Sequence, residues 1–499
     1  MKGKVKEIEL FIEETFNVLS DLTKDKQFVF VFDRHHINSR EIRMSKKGIK
    51  FSFTTSSQII KGVQTHKELE FSREEEYLLE GDTKSIFVRG KDIFINNISY
   101  SEDGLKILSG IIHSFSTVKK ENKTEKLFRR QILPVNSEEL KLTDFQGVSH
   151  KIISNSTNKE AFSFHIPIKV NKKLFLLYQY KYLNNNYISI DCKNVIEEKE
   201  FQKICFNILL GMAFLKGNLY HNEAFLFGYE MEEMKNPLET SYYSMGGSIM
   251  TNMPTFTTNI HSIYKEEFDN TQNDVEYEEL RKELYKDIYY FSNVCFSNLI
   301  ELISNEEKIQ RAIILYLHGH TSSLEIRLPN YFVAIEAITS YVSKLNMESK
   351  KRLNPIKDNK VANEVIASIK QNLKKFVETK NLTSEEFDLN ILEKKLNSLN
   401  SPPNADKLAE SFTLLGFTLS KEQQKILKKR NSYLHGSFVK YIDDDDAFSE
   451  VLYIALRVHL LVAILILKSV DFKGYVINYS SLWDYMSNKT IEEKKMVKI

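Results

Sequence analysis

Short runs in which apolar and polar residues alternate occupy much of the first half of the chain. This period of two is typical of strands that bury one face, and it occurs at 27–32, 48–55, 84–97, 161–170, 173–182 and 187–192. Apolar residues at helical spacing predict helices at 4–23, 103–119 and 197–214. The sequence therefore predicts a mixed α+β region over residues 1–265.

From about residue 275 the apolar period lengthens to that of helices. Helices are predicted at 276–303, 306–319, 329–345, 359–379, 405–415, 421–435 and 446–470. The change in pattern marks a domain boundary, so we expect an all-helical domain at 275–485 and a polar C-terminal tail at 486–499. The most apolar segment, 451–467, contains Arg457 and His459 and is short for a membrane span, which favours a core helix and no membrane partner.

Composition adds limits on partners and compartment. The formal net charge of the 499 residues is only +2, so any contact with nucleic acid must be local. Cys192, Cys205 and Cys295 lack metal-ligand spacing and leave one thiol unpaired in any disulfide scheme, which favours a reducing cytoplasm. His318 and His320 have no cysteine or HExxH partner, and the sequence predicts no bound metal or cofactor.

The string RNSYLHG at 430–436 carries the candidate chemistry. Arg430 follows Ile426 by four residues, on an apolar helical stripe where a guanidinium needs a partner. Asn431 lies one turn before His435, so its amide can orient the imidazole. Arg430 and His435 are separated by roughly 140° on an ideal helix, which predicts a site assembled from two copies of the motif in a homodimer.

Lysines lead directly into this string. Lys425, Lys428 and Lys429 are candidates for contact with RNA phosphates. The alternative is a solvated helix face, which is what a run of charges usually forms.

The string resembles the signature of the HEPN superfamily, which is an arginine, then Asn, His or Asp, then three to five variable residues and a histidine. Arg430, Asn431 and His435 occupy those positions, and Gly436 follows. The run at 312–342 resembles the paired helices that open the ApeA-like branch, with Glu336 on the second helix. The resemblance covers roughly residues 280–470 and implies an all-α HEPN-like domain.

The family implies metal-independent endoribonuclease activity as a homodimer, with 2′,3′-cyclic phosphate and 5′-hydroxyl ends. Histidine exchanges protons at neutral pH, and arginine offers a planar fork to phosphate oxygens. Glu336 is expected to pair with Arg430 or to orient His435, or else to be plain helix surface. The ApeA-like branch implies bacterial antiphage defence by abortive infection, with RNA, and tRNA as one candidate, as the target of this toxin.

Other functions stay open on the sequence alone. Arg430 and His435 are also compatible with a helix-packing ion pair and a helix-terminal residue, in a catalytically silent HEPN module that binds nucleotide or a partner. Ser437 stands where HEPN toxins with an RxxxxHxY pattern have tyrosine, which argues against that form of regulation. The N-terminal region, residues 1–265, is expected to sense a trigger such as one derived from a phage, or to restrain the dimer, with exposed loops at 34–38 or 242–248 as contact candidates. A pure sensor or scaffold is a third possibility.

Overall fold

The fold is taken from a computed structural model that describes residues 9–24, 26–31, 40–47, 50–57, 73–81, 85–100, 102, 106–135, 142–153, 160–182, 185–345, 354–383, 387–434, 445–481 and 494–499. Two compact units are present. The sheet unit comprises Met1–Met253 with Tyr290–Ser304, and the helical unit comprises Pro254–Tyr289 with Asn305–Ile499.

Twenty-one strands are described. They are β1 Glu9–Phe11, β2 Lys26–Val31, β3 Arg40–Lys47, β4 Lys50–Ser57, β5 Glu76–Gly81, β6 Ile86–Arg89, β7 Ile93–Tyr100, β8 Lys106–Ile112, β9 Ser114–Ser116, β10 Lys126–Pro134, β11 Val148–Ile153, β12 Glu160–Val170, β13 Lys173–Tyr182, β14 Asn185–Glu197, β15 Asn218–Leu219, β16 Glu223–Tyr229, β17 Glu239–Ser244, β18 Ile249–Met250, β19 Phe256–Thr257, β20 Tyr475–Ile477 and β21 Met496–Lys498.

Fourteen helices are described. They are α1 Glu13–Thr23, α2 Glu198–Lys216, α3 Ile260–Ile263, α4 Lys265–Asp269, α5 Asp274–Leu284, α6 Asn293–Asn305, α7 Glu307–Thr321, α8 Leu324–Leu345, α9 Asn359–Lys380, α10 Leu389–Asn397, α11 Asn404–Leu414, α12 Lys421–Lys428, α13 Arg430–Leu434 and α14 Asp445–Lys468.

One sixteen-stranded sheet dominates the sheet unit, in the order β1-β11-β12-β13-β14-β10-β16-β17-β9-β6-β5-β2-β3-β4-β8-β7. Its described pairings are antiparallel except for that of β1 with β11, which is parallel. Such a sheet can alternate inward apolar and outward polar residues, which explains why several of its strands were visible in the sequence.

A buried polar network crosses the middle of this sheet. Arg130 of β10 lies opposite Asp191 of β14, and its Nε and Nη2 donate to the two carboxylate oxygens at 2.8 Å each. Tyr178 donates to Asp191 at 3.0 Å, and Nη1 of Arg130 donates to Thr15 of α1 at 2.8 Å. Burial alone raises the pKa of Asp191, but the Arg130 guanidinium outweighs it and lowers that pKa below its usual value. The network holds α1 against the sheet.

The helical unit is built around α8, which packs on α7, α11, α13 and α14. The segment predicted as a core helix is α14, and the side chains from Leu460 to Leu467 are at most 2% exposed. Of the described helices, only Asp446–Lys468 is long and apolar enough to cross a membrane, and 78% of its apolar window is buried inside the protein. That burial is what a core helix of a globular unit also shows.

An antiparallel sheet region followed by a helical half confirms the coarse fold prediction. The helix predicted at 103–119 is wrong, because its described part forms β8 and β9. β8 pairs with β4 on one side and β7 on the other. Gly110 and the branched isoleucines of β8 disfavour a helix and suit a strand, so the helical spacing was coincidental.

Two further helix predictions differ from the structure in their boundaries. The helix predicted at 4–23 contains the short strand β1 before α1, and residues 1–8 lie outside the described part. The helix predicted at 276–303 is two helices, because Phe291 between them exchanges backbone hydrogen bonds with Asp144 and Gln146. The helix α6 that follows belongs to the sheet unit, where Ile300 packs on Gly211 of α2.

Candidate functional site

The motif string begins at α13, a five-residue helix that packs on α8. Tyr433 of α13 lies nearly parallel to Phe332 of α8, with ring centroids 6.0 Å apart and planes inclined by 12°. Tyr433 is only 7% exposed, so its burial fixes α13 on the face of α8 that carries Glu336.

The single helix predicted over 421–435 is interrupted at Lys429. Helix α12 opens with a capping box between Ser420 and Gln423. At its end, the Lys429 amide donates to Ile426 O at 3.0 Å, and the Ser432 amide donates to Lys429 O at 3.0 Å. These three-residue hydrogen bonds tighten the turn, so angular positions derived from an ideal α-helix do not apply directly to Arg430.

Arg430 is held by a carboxylate and an amide. Its Nη2 forms an ion pair with Oε1 of Glu336, and its Nη1 donates to Oδ1 of Asn431 at 2.6 Å. The side chains of Arg430 and Glu336 are 18% and 35% exposed. Pairing of Arg430 with Glu336 is the contact that the sequence suggested. Oδ1 of Asn431 accepts from the neighbouring guanidinium, and the predicted contact of the Asn431 amide with His435 stays a prediction.

His435 and Gly436 lie outside the described residues. The role of His435 therefore stays a prediction, as does the separation of Arg430 and His435 across a dimer.

The three candidate RNA-binding lysines are exposed. Lys425 pairs with Glu422 at 2.6 Å, and Lys429 pairs with Glu450 at 3.0 Å. The hydrogen bond from Lys429 to Glu450 raises the pKa of the lysine. Exposed pairs of this kind contribute at most about 1 kcal/mol and exchange readily for a phosphate. Lys428 has no ion pair among the residues that the structure describes.

A cavity of about 550 Å³ opens beside the Arg430–Glu336 pair. Four segments besides α13 form it, and its lining residues are Glu336, Thr339, Ser340, Ser343, Asn354, Ser401, Pro402, Asn404, Lys407, Leu408, Glu410 and Arg430. Among these residues, only Glu336 and Arg430 are candidate site residues on the sequence alone. Because the other residues come from positions far apart in sequence, no local pattern marks them.

Histidine and tyrosine side chains form a second cluster, in the core between α7, α8 and α14. The ring of His459 stacks on that of Tyr316, with centroids 4.4 Å apart. The His320 ring lies edge-on to His459, with centroids 4.3 Å apart. Burial lowers the pKa of His320 to about 3 and that of His459 well below its usual value. Both ring nitrogens of His459 and Nε2 of His320 lack hydrogen-bond partners among the described residues. Two neutral histidines are therefore part of the core packing.

The sheet unit has a polar cleft of about 670 Å³ on its own surface. Lys123 donates to Glu198 at 2.8 Å and to Ser241 at 3.0 Å, and the exposed cations Lys120 and Lys199 also line the cleft. No recognisable motif marks the residues that form this cleft, so the sequence does not predict it.

Of the two segments predicted to contact a trigger in the N-terminal region, the structure describes only the second. Residues 34–38 lie outside the described part. Residues 242–244 belong to β17 rather than to an exposed loop, and Tyr242 is fully buried. That part of the prediction is wrong, because Tyr242 packs against Phe51 and Phe115. Only the tip at Gly246 and Gly247 is exposed.

Within the described part of the chain, no three His, Cys, Asp or Glu side chains are grouped so that they could hold a metal ion. Comparison of the chain with protein-family models, with curated proteins and with solved structures finds no match.

Proposed function

We propose that the helical unit is a metal-independent endoribonuclease of the HEPN type that acts as a homodimer in the cytoplasm. The observation that carries the proposal is the half-buried Arg430–Glu336 pair beside an open cavity. A cation held there at fixed geometry has donors left for a phosphate, because the guanidinium carries five N–H groups and its described contacts use two.

The proposed chemistry assigns one role to each motif residue. As the 2′-oxygen bonds to phosphorus and the bond to the 5′-oxygen breaks, His435 takes the proton from the 2′-hydroxyl and then gives it to the leaving 5′-oxygen. Arg430 stabilises the charge of the crowded phosphorane. Glu336 and Asn431 act as positioning residues, since both contact the guanidinium.

The test is RNA cleavage by the purified full-length protein and by matched variants. Arg430→Ala and His435→Ala are expected to lower kcat/KM by about 100-fold or more while the fold stays intact. Arg281→Ala and His318→Ala are the controls, since Arg281 lies in a surface pair with Glu278 and His318 is exposed. Equal activity of Arg430→Ala and Arg281→Ala would contradict the proposal and leave a silent HEPN module or a scaffold.

The proposed dimer has its own test. If the site combines Arg430 of one protomer with His435 of the other, then mixing the Arg430→Ala and His435→Ala proteins restores one intact site per heterodimer. Activity should recover to a fraction of the wild-type value after subunit exchange. Full activity of a monomer at nanomolar concentration would rule out a shared site.

We further propose that the enzyme cleaves host or phage RNA, with tRNA as one candidate, to stop growth during phage infection. The sheet unit is then the sensor of a phage-derived trigger, with its polar cleft as the contact site. A trigger acts only if it binds the active arrangement more tightly than the resting one.

A further inference from the structure

Two residues that line the cavity beside Arg430 each carry a buried polar atom that no described residue satisfies. Thr339 is 6% exposed, and its Oγ1 has no hydrogen-bond partner among the described residues. Nε of Arg430 is likewise buried with no partner in the described part of the chain. Both residues line the cavity. A buried polar atom left unpaired costs about 1–3 kcal/mol and is rare in native proteins, so two in one cavity indicate a ligand that pairs with them.

The lining defines the chemistry of that ligand. The cavity wall carries the Ser343 hydroxyl, the Asn404 amide, the Lys407 ammonium and the Glu410 carboxylate, and its described lining contains no aromatic ring. Lys407 is half-buried and has no ion pair among the described residues. The cavity volume of about 550 Å³ lies within the range of small-molecule sites. The wall therefore suits a polar ligand with an anionic group, bound by hydrogen bonds rather than by stacking.

We propose that this cavity is the nucleotide subsite of the ribonuclease and receives the nucleotide attached to the phosphate that Arg430 contacts. Thr339 and Asn404 hydrogen-bond the nucleoside, and Lys407 attracts the phosphate. This inference rests on the proposed function, because it takes RNA to be the substrate. It adds the residues that hold the nucleotide, which the motif string does not contain.

The experiment measures binding without cleavage. The four nucleoside 2′,3′-cyclic monophosphates, which mimic the 3′ end that the proposed reaction leaves on the cleaved RNA and have no 2′-hydroxyl to react, are titrated into the full-length protein by calorimetry. Thr339→Val and Lys407→Met are expected to weaken binding by about tenfold. Thr379→Val and Lys360→Met on α9, both exposed positions outside the cavity, are the controls and should leave binding unchanged. Thr339→Val should not lower the melting temperature, because it removes an unpaired hydroxyl.

Kinetics separate this inference from the proposed function. On RNA, both cavity variants should raise KM about tenfold, with a smaller effect on kcat. If the wild type cuts RNA and the variants change neither KM nor binding, the subsite is wrong and the nuclease stands. If the cyclic nucleotides bind in the cavity but no RNA is cut, the nuclease and the substrate assignment both fail. Binding of a free 5′-mononucleotide that depends on Thr339, with an unchanged KM for RNA, would assign the cavity to a small nucleotide and overturn the RNA subsite.

Discussion

Arg430 is partly buried and paired with a carboxylate, so its guanidinium keeps a fixed position in which it can contact a phosphate. Moving a guanidinium out of water is costly unless a carboxylate compensates, and Glu336 supplies that compensation. The pairing was one of the options that the sequence suggested, because Glu336 lies at the edge of the apolar stripe of α8. The cavity residues Thr339 and Lys407 were not predictable, since nothing in their local pattern separates them from ordinary helix surface.

The role of Glu336 can be tested by changing its charge and its hydrogen bonding separately. Glu336→Ala removes the ion pair and should lower kcat/KM by about tenfold or more, because the guanidinium loses its fixed position. Glu336→Gln keeps a hydrogen-bond acceptor and should lose less. Glu378→Ala, at an exposed position of α9, is the control. If Glu336→Ala were more active than the wild type, the pair would restrain Arg430 rather than position it.

The buried histidines predict a pH dependence of stability. The folded chain holds His320 neutral, with a pKa of about 3, and His459 neutral as well, whereas unfolded histidine binds a proton near pH 6.5. Since the unfolded state binds more protons below that pH, the free energy of unfolding should fall as the pH drops from about 6.5 towards 3. Each histidine contributes a slope of up to about 1.4 kcal/mol per pH unit.

Urea denaturation at pH 7.5 and pH 5.0 measures this effect. Replacing His320 by phenylalanine should reduce the pH dependence, whereas replacing the exposed His318 by alanine should leave it as in the wild type. Identical slopes for the wild type and His320→Phe would mean that His320 is already protonated in the folded protein.

Whole elements differed in how well the sequence predicted them. Strand β13 was predicted at its observed bounds, because it is rich in the apolar and aromatic residues that favour strands, and two neighbouring strands pair with it. Helix α2 was predicted to within two residues at its C-terminal end. The 103–119 segment failed because pairing on both sides of β8 decides its conformation, and that pairing involves residues distant in sequence. Helix α10 was not predicted.

Two glycines at helix ends share a left-handed backbone but differ in the space around them, so their alanine variants can be compared for loss of stability. Gly217 ends α2 with φ of +84°, and Gly416 follows α11 with φ of +71°. A Cβ on Gly217 would meet the Met253 backbone nitrogen at 2.6 Å, whereas a Cβ on Gly416 would meet nothing within 4 Å.

Gly416→Ala should therefore cost only the left-handed strain, about 1 kcal/mol, because space around it is open. Gly217→Ala should cost clearly more, since the backbone must also move. Chemical denaturation of the two variants compares them directly. Equal losses would show that steric contact at Gly217 is relieved without cost.

At the scale of the whole molecule, the sheet unit includes one helix from the part of the chain that the sequence assigns to the helical domain. Helix α6 belongs to the sheet unit although the sequence places it after the predicted boundary near 265–275. Asn207 of α2 donates to Ser304 of α6 at 2.9 Å, and the Lys169 amide of β12 donates to Ser297 at 2.9 Å. Truncation at residue 265 would strip α6 of these contacts, so sensing by the sheet unit must be tested in the full chain.

Charge reversal in the polar cleft provides that test. The double variant Lys120→Glu, Lys199→Glu should lose protection against phage while the purified protein keeps its melting temperature and its RNA cleavage, because both lysines are exposed and far in sequence from the motif. Lys203→Glu, also exposed on α2 but outside the cleft, is the control. Unchanged protection by the double variant would remove the cleft as the contact site of the trigger.

The most direct measurement of the central claim is the chemistry of the RNA ends. The ends of total RNA are mapped by sequencing after expression of the full-length protein and of its His435→Ala variant. The cleavage activity of the purified protein is measured with and without EDTA. Attack by the 2′-hydroxyl predicts 2′,3′-cyclic phosphate and 5′-hydroxyl ends that are absent with His435→Ala and unaffected by the chelator. Ends carrying 5′-phosphate, or cleavage that EDTA abolishes, would contradict a metal-independent HEPN ribonuclease.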